Sequence, residues 1–174
     1  MNKNYYVGIT DTNWMSFIID KKRLNQIGNE INFWRPGSQK FRALKPGDLF
    51  VFKLHMNSAK REKGEIVGAG YYVGFERMTP DLAWQRFEYG NGAESKQHML
   101  SCIDSYRAKN NMEYDNTIGC IIVEKAVFFE PKDWIESPND WGKFIVSGKK
   151  YSLDNDLGNT LYEKIINTMR NYQS

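Results

Sequence analysis

The chain has 174 residues, a net charge of +3, 41% hydrophobic and 14% aromatic residues. That length and apolar content predict one folded domain over 1–174 and exclude a disordered chain. The small positive charge permits nucleic-acid binding without the strongly basic footprint of a dedicated charge-driven binder.

In chain order, "YYVGIT" (5–10) reads as a short β-strand, and "DTNW" starts a helix capped by Asp11 or Asn13. Trp14, Phe17, Ile18 and Leu24 fall on its apolar side. "EINFW" (30–34) predicts a strand closed by Pro36 and Gly37. In "LKPGDLFVFKLH" (44–55) a Pro-Gly turn leads into a strand apolar on both faces, which predicts a central position. The basic stretch Lys60 to Lys63 reads as part of a charged loop over 57–64. "EIVGAGYYVGFERM" (65–78) is a strand whose three glycines predict bulges or close approach of another surface.

Two helices follow, over 79–90 with Pro80 in the first turn and over 94–111 with a stripe of Met99, Cys102, Ile103 and Tyr106. "TIGCIIVEKAVFFE" (117–130) is a long β-segment, and "KFIVSGKKYSLD" supplies one or two short strands. A final helix, 156–172, carries Leu157, Leu161, Ile165, Ile166 and Met169 on one side. About six strands interrupted by helices predict an α+β fold, a small mixed barrel with helices packed outside.

The catalytic inventory is thin. His55 and His98 are the only histidines, and Cys102 and Cys120 have no metal or redox spacing, so no metal or cofactor is expected. "GAG" at 68–70 lacks the Gly-Lys-Ser/Thr of a phosphate loop, "GNGA" (90–93) reads as a turn between helices, and no nucleophile elbow occurs. A chain without its own catalytic centre is expected. No signal peptide opens the sequence and no apolar run approaches membrane-spanning length, which predicts a cytoplasmic protein with no membrane partner.

Aromatic and basic residues interleave in the first half: Trp14, Phe33, Trp34, Phe50 and Phe52 with Arg35, Lys53 and His55. Rings that stack and cations that neutralise phosphate are what nucleic-acid binding requires. Strand aromatics such as Phe50 and Phe52, and Trp84 on its helix, read as core. For Trp34, beside Arg35 and a Pro-Gly turn, core packing and a pocket wall both stay open.

"YYVGITDTNW", "NFWRPGSQKFRALKPGDLFVFKLH", "IVGAGYYVGFERMTPDLAWQRF", "GNGAES" and "IGCIIVEKAVFFEPKDWI" together resemble the N-terminal domain of bacterial HNH endonucleases, over nearly the whole chain. The central block more distantly resembles the EVE and YTH branch of the PUA-like superfamily. There a tryptophan segment, a "GD" turn into an aromatic strand and an "IVG" strand follow in similar order. The resemblance implies a PUA-like (EVE-like) small curved β-barrel with flanking helices and a pocket where a flipped, modified base stacks on aromatic rings. It makes Trp34 a cage wall, beside Phe33, and Trp14 a second wall. Asn32 and Asp11 would hydrogen-bond the base edge, and Arg35, Lys53 and His55 would meet phosphate or the base edge.

The function this implies is a DNA-binding reader of a modified base, the specificity module of a modification-dependent restriction system. Cutting would belong to a fused or partner HNH nuclease. Two other readings remain: an RNA-binding module for a modified nucleotide, and a protein-interaction domain whose aromatics are all core.

Overall fold

The computed structural model describes residues 3–37, 39–57, 60 and 62–173. Its elements begin with β1 (Asn4–Thr10), α1 (Thr12–Arg23), β2 (Glu30–Arg35) and β3 (Leu49–Leu54). The short strands β4 (Met56–Asn57) and β5 (Glu62–Lys63) precede the long β6 (Ile66–Met78). Then come α2 (Pro80–Phe87), α3 (Lys96–Lys109), β7 (Ile118–Phe128), β8 (Gly148–Ser152) and α4 (Asp156–Arg170).

The fold is α+β. A mixed six-stranded sheet runs in the order β2-β7-β6-β3-β1-β8, and β4 pairs with β5 as a separate ribbon. β1 and β3 are parallel, while β1–β8, β2–β7 and β3–β6 are antiparallel. The expected barrel does not close: β2 and β8 remain the two edges of the sheet. At β2 a helical turn takes the place of a closing strand. Gly90, in the 3-10 turn Glu88–Asn91, lies so near that a β-carbon there would stand 3.2 Å from the Glu30 carbonyl oxygen. Covering an edge in this way removes a template for unwanted pairing without adding a strand. The expected loop at 57–64 is in part the β4–β5 ribbon; of the residues it joins, Ser58, Ala59 and Arg61 lie outside the described ones.

The chain divides into two compact units, the first made of residues 1–12, 43–72 and 125–174, the second of 13–42 and 73–124. In the first, alternation along β1 buries Tyr5 and Val7, which pair in register with Leu49 and Val51 of β3. α4 packs Leu161, Ile165 and Met169, spaced four apart, into the same cluster. Burying three such side chains contributes on the order of 5 kcal/mol. Asn155 caps this helix, its Oδ1 accepting from the Gly158 amide at 2.7 Å. The opposite side of β3 is also buried. Phe50 and Phe52 meet at a tilt with ring centroids 5.4 Å apart, and Phe52 stacks on Phe128 at 5.0 Å. This is the central strand that its doubly apolar sequence implies.

In the second unit the core is Ala83, Met99, Ile103, Ile118 and Cys120, with Trp34 and Trp84 packed on its margin. Thr79 caps α2 by accepting from the Leu82 amide, with Pro80 at the first turn, and Ser95 caps α3 by accepting from the His98 amide. The buried stripe of α3 is Met99, Ile103 and Arg107, while Cys102 and Tyr106 face solvent. A guanidinium joins the apolar face because it has partners: Arg107 donates to the carbonyls of Pro36 at 3.1 Å and Thr117 at 2.9 Å. These bonds tie the turn after β2 to the entry of β7 and offset the cost of burying the charge. On α1, Trp14, Met15 and Ile18 are buried. Leu24 lies beyond the helix and is exposed, because the helix stops at Arg23.

Candidate functional site

The second unit gathers five of the eight residues predicted for the site: Trp14, Asn32, Phe33, Trp34 and Arg35. Asp11, Lys53 and His55 belong to the first.

Successive residues of a strand point to opposite faces, and β2 distributes its side chains accordingly. Phe33 meets Trp14 edge to face, with centroids 5.5 Å apart and planes at 83°. Trp34 turns the other way, against the helical core. The two adjacent rings therefore do not wall one pocket; Trp14 pairs with Phe33, and Trp34 is separate. Phe33, Trp34 and Arg35 are each half-buried, whereas Ile31 and Asn32 before them are buried. The strand is thus partly accessible at Glu30 and over its last three residues, and buried between them. The Arg35 guanidinium lies over Phe41 at 5.5 Å.

The turn "EYGNG" (88–92) organises both faces. Asn91 is fully buried, and its Nδ2 donates to the carbonyls of Ala83 at 3.0 Å and Glu88 at 2.9 Å. Its Oδ1 accepts from Asn32 Nδ2 at 2.9 Å, and its main-chain oxygen accepts from Trp34 Nε1 at 2.9 Å. Gly92 follows at φ 75°, where the Trp14 indole occupies the space a β-carbon would need. Only glycine satisfies both demands. α1 adds to this cluster: Phe17 stacks edge to face with Tyr89 at 5.8 Å, and Lys21 sits 4.4 Å above the Tyr89 ring.

Asn32 has a second feature. Its side chain is buried, and among the described residues nothing donates to its Oδ1. Nδ2 is engaged with Asn91 and lies 3.3 Å from Cys120 Sγ. Burial pushes the Cys120 thiol up to about 11, against the opposing effect of the Asn32 bond, so it stays protonated at neutral pH. A buried acceptor without a donor costs about 1–3 kcal/mol.

In the first unit, Lys53 is fully buried. Its ammonium lies 4.4 Å from the centroid of Trp141 and donates to the Leu54 carbonyl at 3.3 Å. Desolvation depresses its pKa to about 8, with Glu65 pulling the other way. In this conformation Lys53 faces the interior and offers no charge to a surface phosphate. His55 and Asp11 are exposed.

A shallow depression of about 550 Å³ is lined by Glu76, Met78, Leu82 and Arg86 among others, and none of the eight predicted residues borders it. Among the described residues no cluster of three or more His, Cys, Asp or Glu is placed to hold a metal ion, and no helix is long and apolar enough to cross a membrane.

Sequence reasoning passed over Asn91, Gly92 and Trp141. The Gly-Asn-Gly run carried the signal for the first two: a small polar residue between glycines, next to a strand edge, marks backbone in close contact with its surroundings. Nothing local marked Trp141. No protein-family model matches this chain, and no curated protein matches it at a significant level.

Proposed function

We propose that this chain reads a modified base in duplex DNA, extracting it against the aromatic end of β2, and acts as the specificity module of a modification-dependent restriction system whose HNH nuclease does the cutting. The observation that carries this reading is the run Phe33-Trp34-Arg35, two rings and a guanidinium left partly open at the end of a strand whose middle residues, Ile31 and Asn32, are buried. Each ring is held from behind, Phe33 by Trp14 and Trp34 by the Asn91 carbonyl. A stacking surface fixed in advance costs little ordering when a base arrives, and base–aromatic stacking contributes about 1–3 kcal/mol per base. That gain is of the size needed to offset extraction of a base from the duplex.

Fluorescence anisotropy tests the reading, with matched duplexes carrying no modification, a modified cytosine or N6-methyladenine. Wild type should prefer one modified duplex by tenfold or more, and Phe33→Ala and Trp34→Phe should reduce that preference while circular dichroism stays native. Equal binding to every duplex would contradict it, and preference for a modified single-stranded RNA would move the reading to RNA.

A further inference from the structure

The segment joining Trp141 to β8 presents its large apolar side chains outward. Phe144 is 94% exposed and Val146 80% exposed, while Ile145 between them is half-buried. The Ile145 amide donates to the Gly142 carbonyl at 3.3 Å, closing a turn with Lys143 and Phe144 at its two corners. The root of the turn is fixed on three sides. Trp141 covers the buried Lys53 ammonium, and Asp140 accepts from Tyr151 Oη at 2.8 Å and pairs with Lys149. The Ile9 amide donates to the Ser147 carbonyl at 2.9 Å. A pinned root with an apolar tip is a preorganised probe, with little left to order on binding.

Charge identifies what it probes. From Gly142 to Tyr151 the sequence holds Lys143, Lys149 and Lys150 and no acidic residue; Lys143 and Lys150 are exposed. The two apolar tips together offer roughly 300 Å², well short of the roughly 800 Å² per partner of a stable protein interface. A lone phenyl ring flanked by cations instead matches a duplex, where the ring enters between base steps and the ammonium groups meet phosphates.

We propose that the turn Gly142–Ser147 is a nucleic-acid wedge, with Phe144 and Val146 pressing into the base stack and Lys143 and Lys150 on the flanking phosphates. This rests on the duplex-binding part of the function proposed above, not on its choice of base.

Duplexes carrying 2-aminopurine report local unstacking by a rise in fluorescence, and should be titrated in unmodified and modified form. Wild type should raise the signal of both. Phe144→Ser with Val146→Ser should remove the rise and weaken binding about tenfold, with the melting temperature unchanged because both side chains stand in solvent. Lys143→Gln should reduce the salt slope of binding by about one phosphate contact. Unchanged unstacking and affinity in the double variant would overturn the wedge and leave base reading intact if the modification preference persists. A wedge effect without any modification preference would sustain this proposal and remove the base reader. The wedge also fails if wild type binds no duplex, or if the variant instead loses binding to vesicles of anionic phospholipid or loses self-association in sedimentation.

Discussion

The indole of Trp14 fills the space where Gly92 would carry a side chain, and Gly92 holds a left-handed backbone at φ 75°. The first helix of the second unit and the turn along the β2 edge are thus fitted to each other through one missing atom. Gly92→Ala should expel the indole from its seat against the turn and cost about 2–4 kcal/mol, combining backbone strain with overpacking. Urea unfolding followed by tryptophan emission checks this; an unchanged midpoint would show that Trp14 has room to move.

Asn91 joins four groups: two carbonyls, the Asn32 amide and the Trp34 indole N–H. Its side chain makes three of those bonds. Asn91→Leu should cost about 3 kcal/mol, since Ala83, Glu88 and Asn32 each lose a buried partner. Trp34→Phe removes the bond to the Asn91 main chain and part of the ring packed on the helical core, and should cost about 1–2 kcal/mol. Thermal melts of the two variants distinguish the hub from its spoke.

Lys53 makes stability depend on pH in a definite direction. Its folded pKa, about 8, lies below the unfolded value of about 10.5. Between those values the unfolded chain binds more protons than the folded one, so stability rises with pH through this window and is lower, and flat, below it. From pH 8 to 9.5 wild type should gain about 1.5 kcal/mol. Above pH 10 the trend reverses: burial raises the phenols of Tyr5 and Tyr151, the latter also through its bond to Asp140, so the unfolded chain ionises first. Lys53→Met should be at least as stable as wild type at pH 7 and should flatten the rise between pH 8 and 9.5. A Met variant strongly destabilised at neutral pH would mean that the contact with Trp141 outweighs desolvation.

The two cysteines should differ sharply in reactivity. Cys102 is exposed on α3, while Cys120 is buried near the start of β7 with its thiol pKa raised to about 11. At pH 8 a thiol-reactive dye should label Cys102 within minutes and reach Cys120 only on unfolding. Labelling of both at equal rates would place Cys120 in contact with solvent.

Much of the fold was legible from local pattern. The doubly apolar run Leu49–Leu54 after "PGD" marked a central strand, and the four-residue spacing of Leu161, Ile165 and Met169 marked the last helix. The stripe of α3 was misplaced because an arginine was not counted as a core residue. Arg107 is buried on account of two carbonyls outside its helix, that of Pro36 71 residues away in sequence and that of Thr117. Closure of the sheet was not legible, since strand order depends on which segments meet across long separations. The site divides likewise. "NFWRP" was found from composition, and the period of two separates Phe33 from Trp34 by face. The partner of Asn32 stands 59 residues away, and Lys53 reads as a surface cation until Trp141, far along the chain, is placed over it.

Whether the open end of β2 binds a modified base is measured most directly by the ratio of affinities for modified and unmodified duplex in wild type and Phe33→Ala. Reading by stacking requires a ratio of at least tenfold in wild type that falls towards one in a folded Phe33→Ala, with non-specific affinity retained. A ratio of one in wild type, or one that survives the loss of the ring, would contradict it.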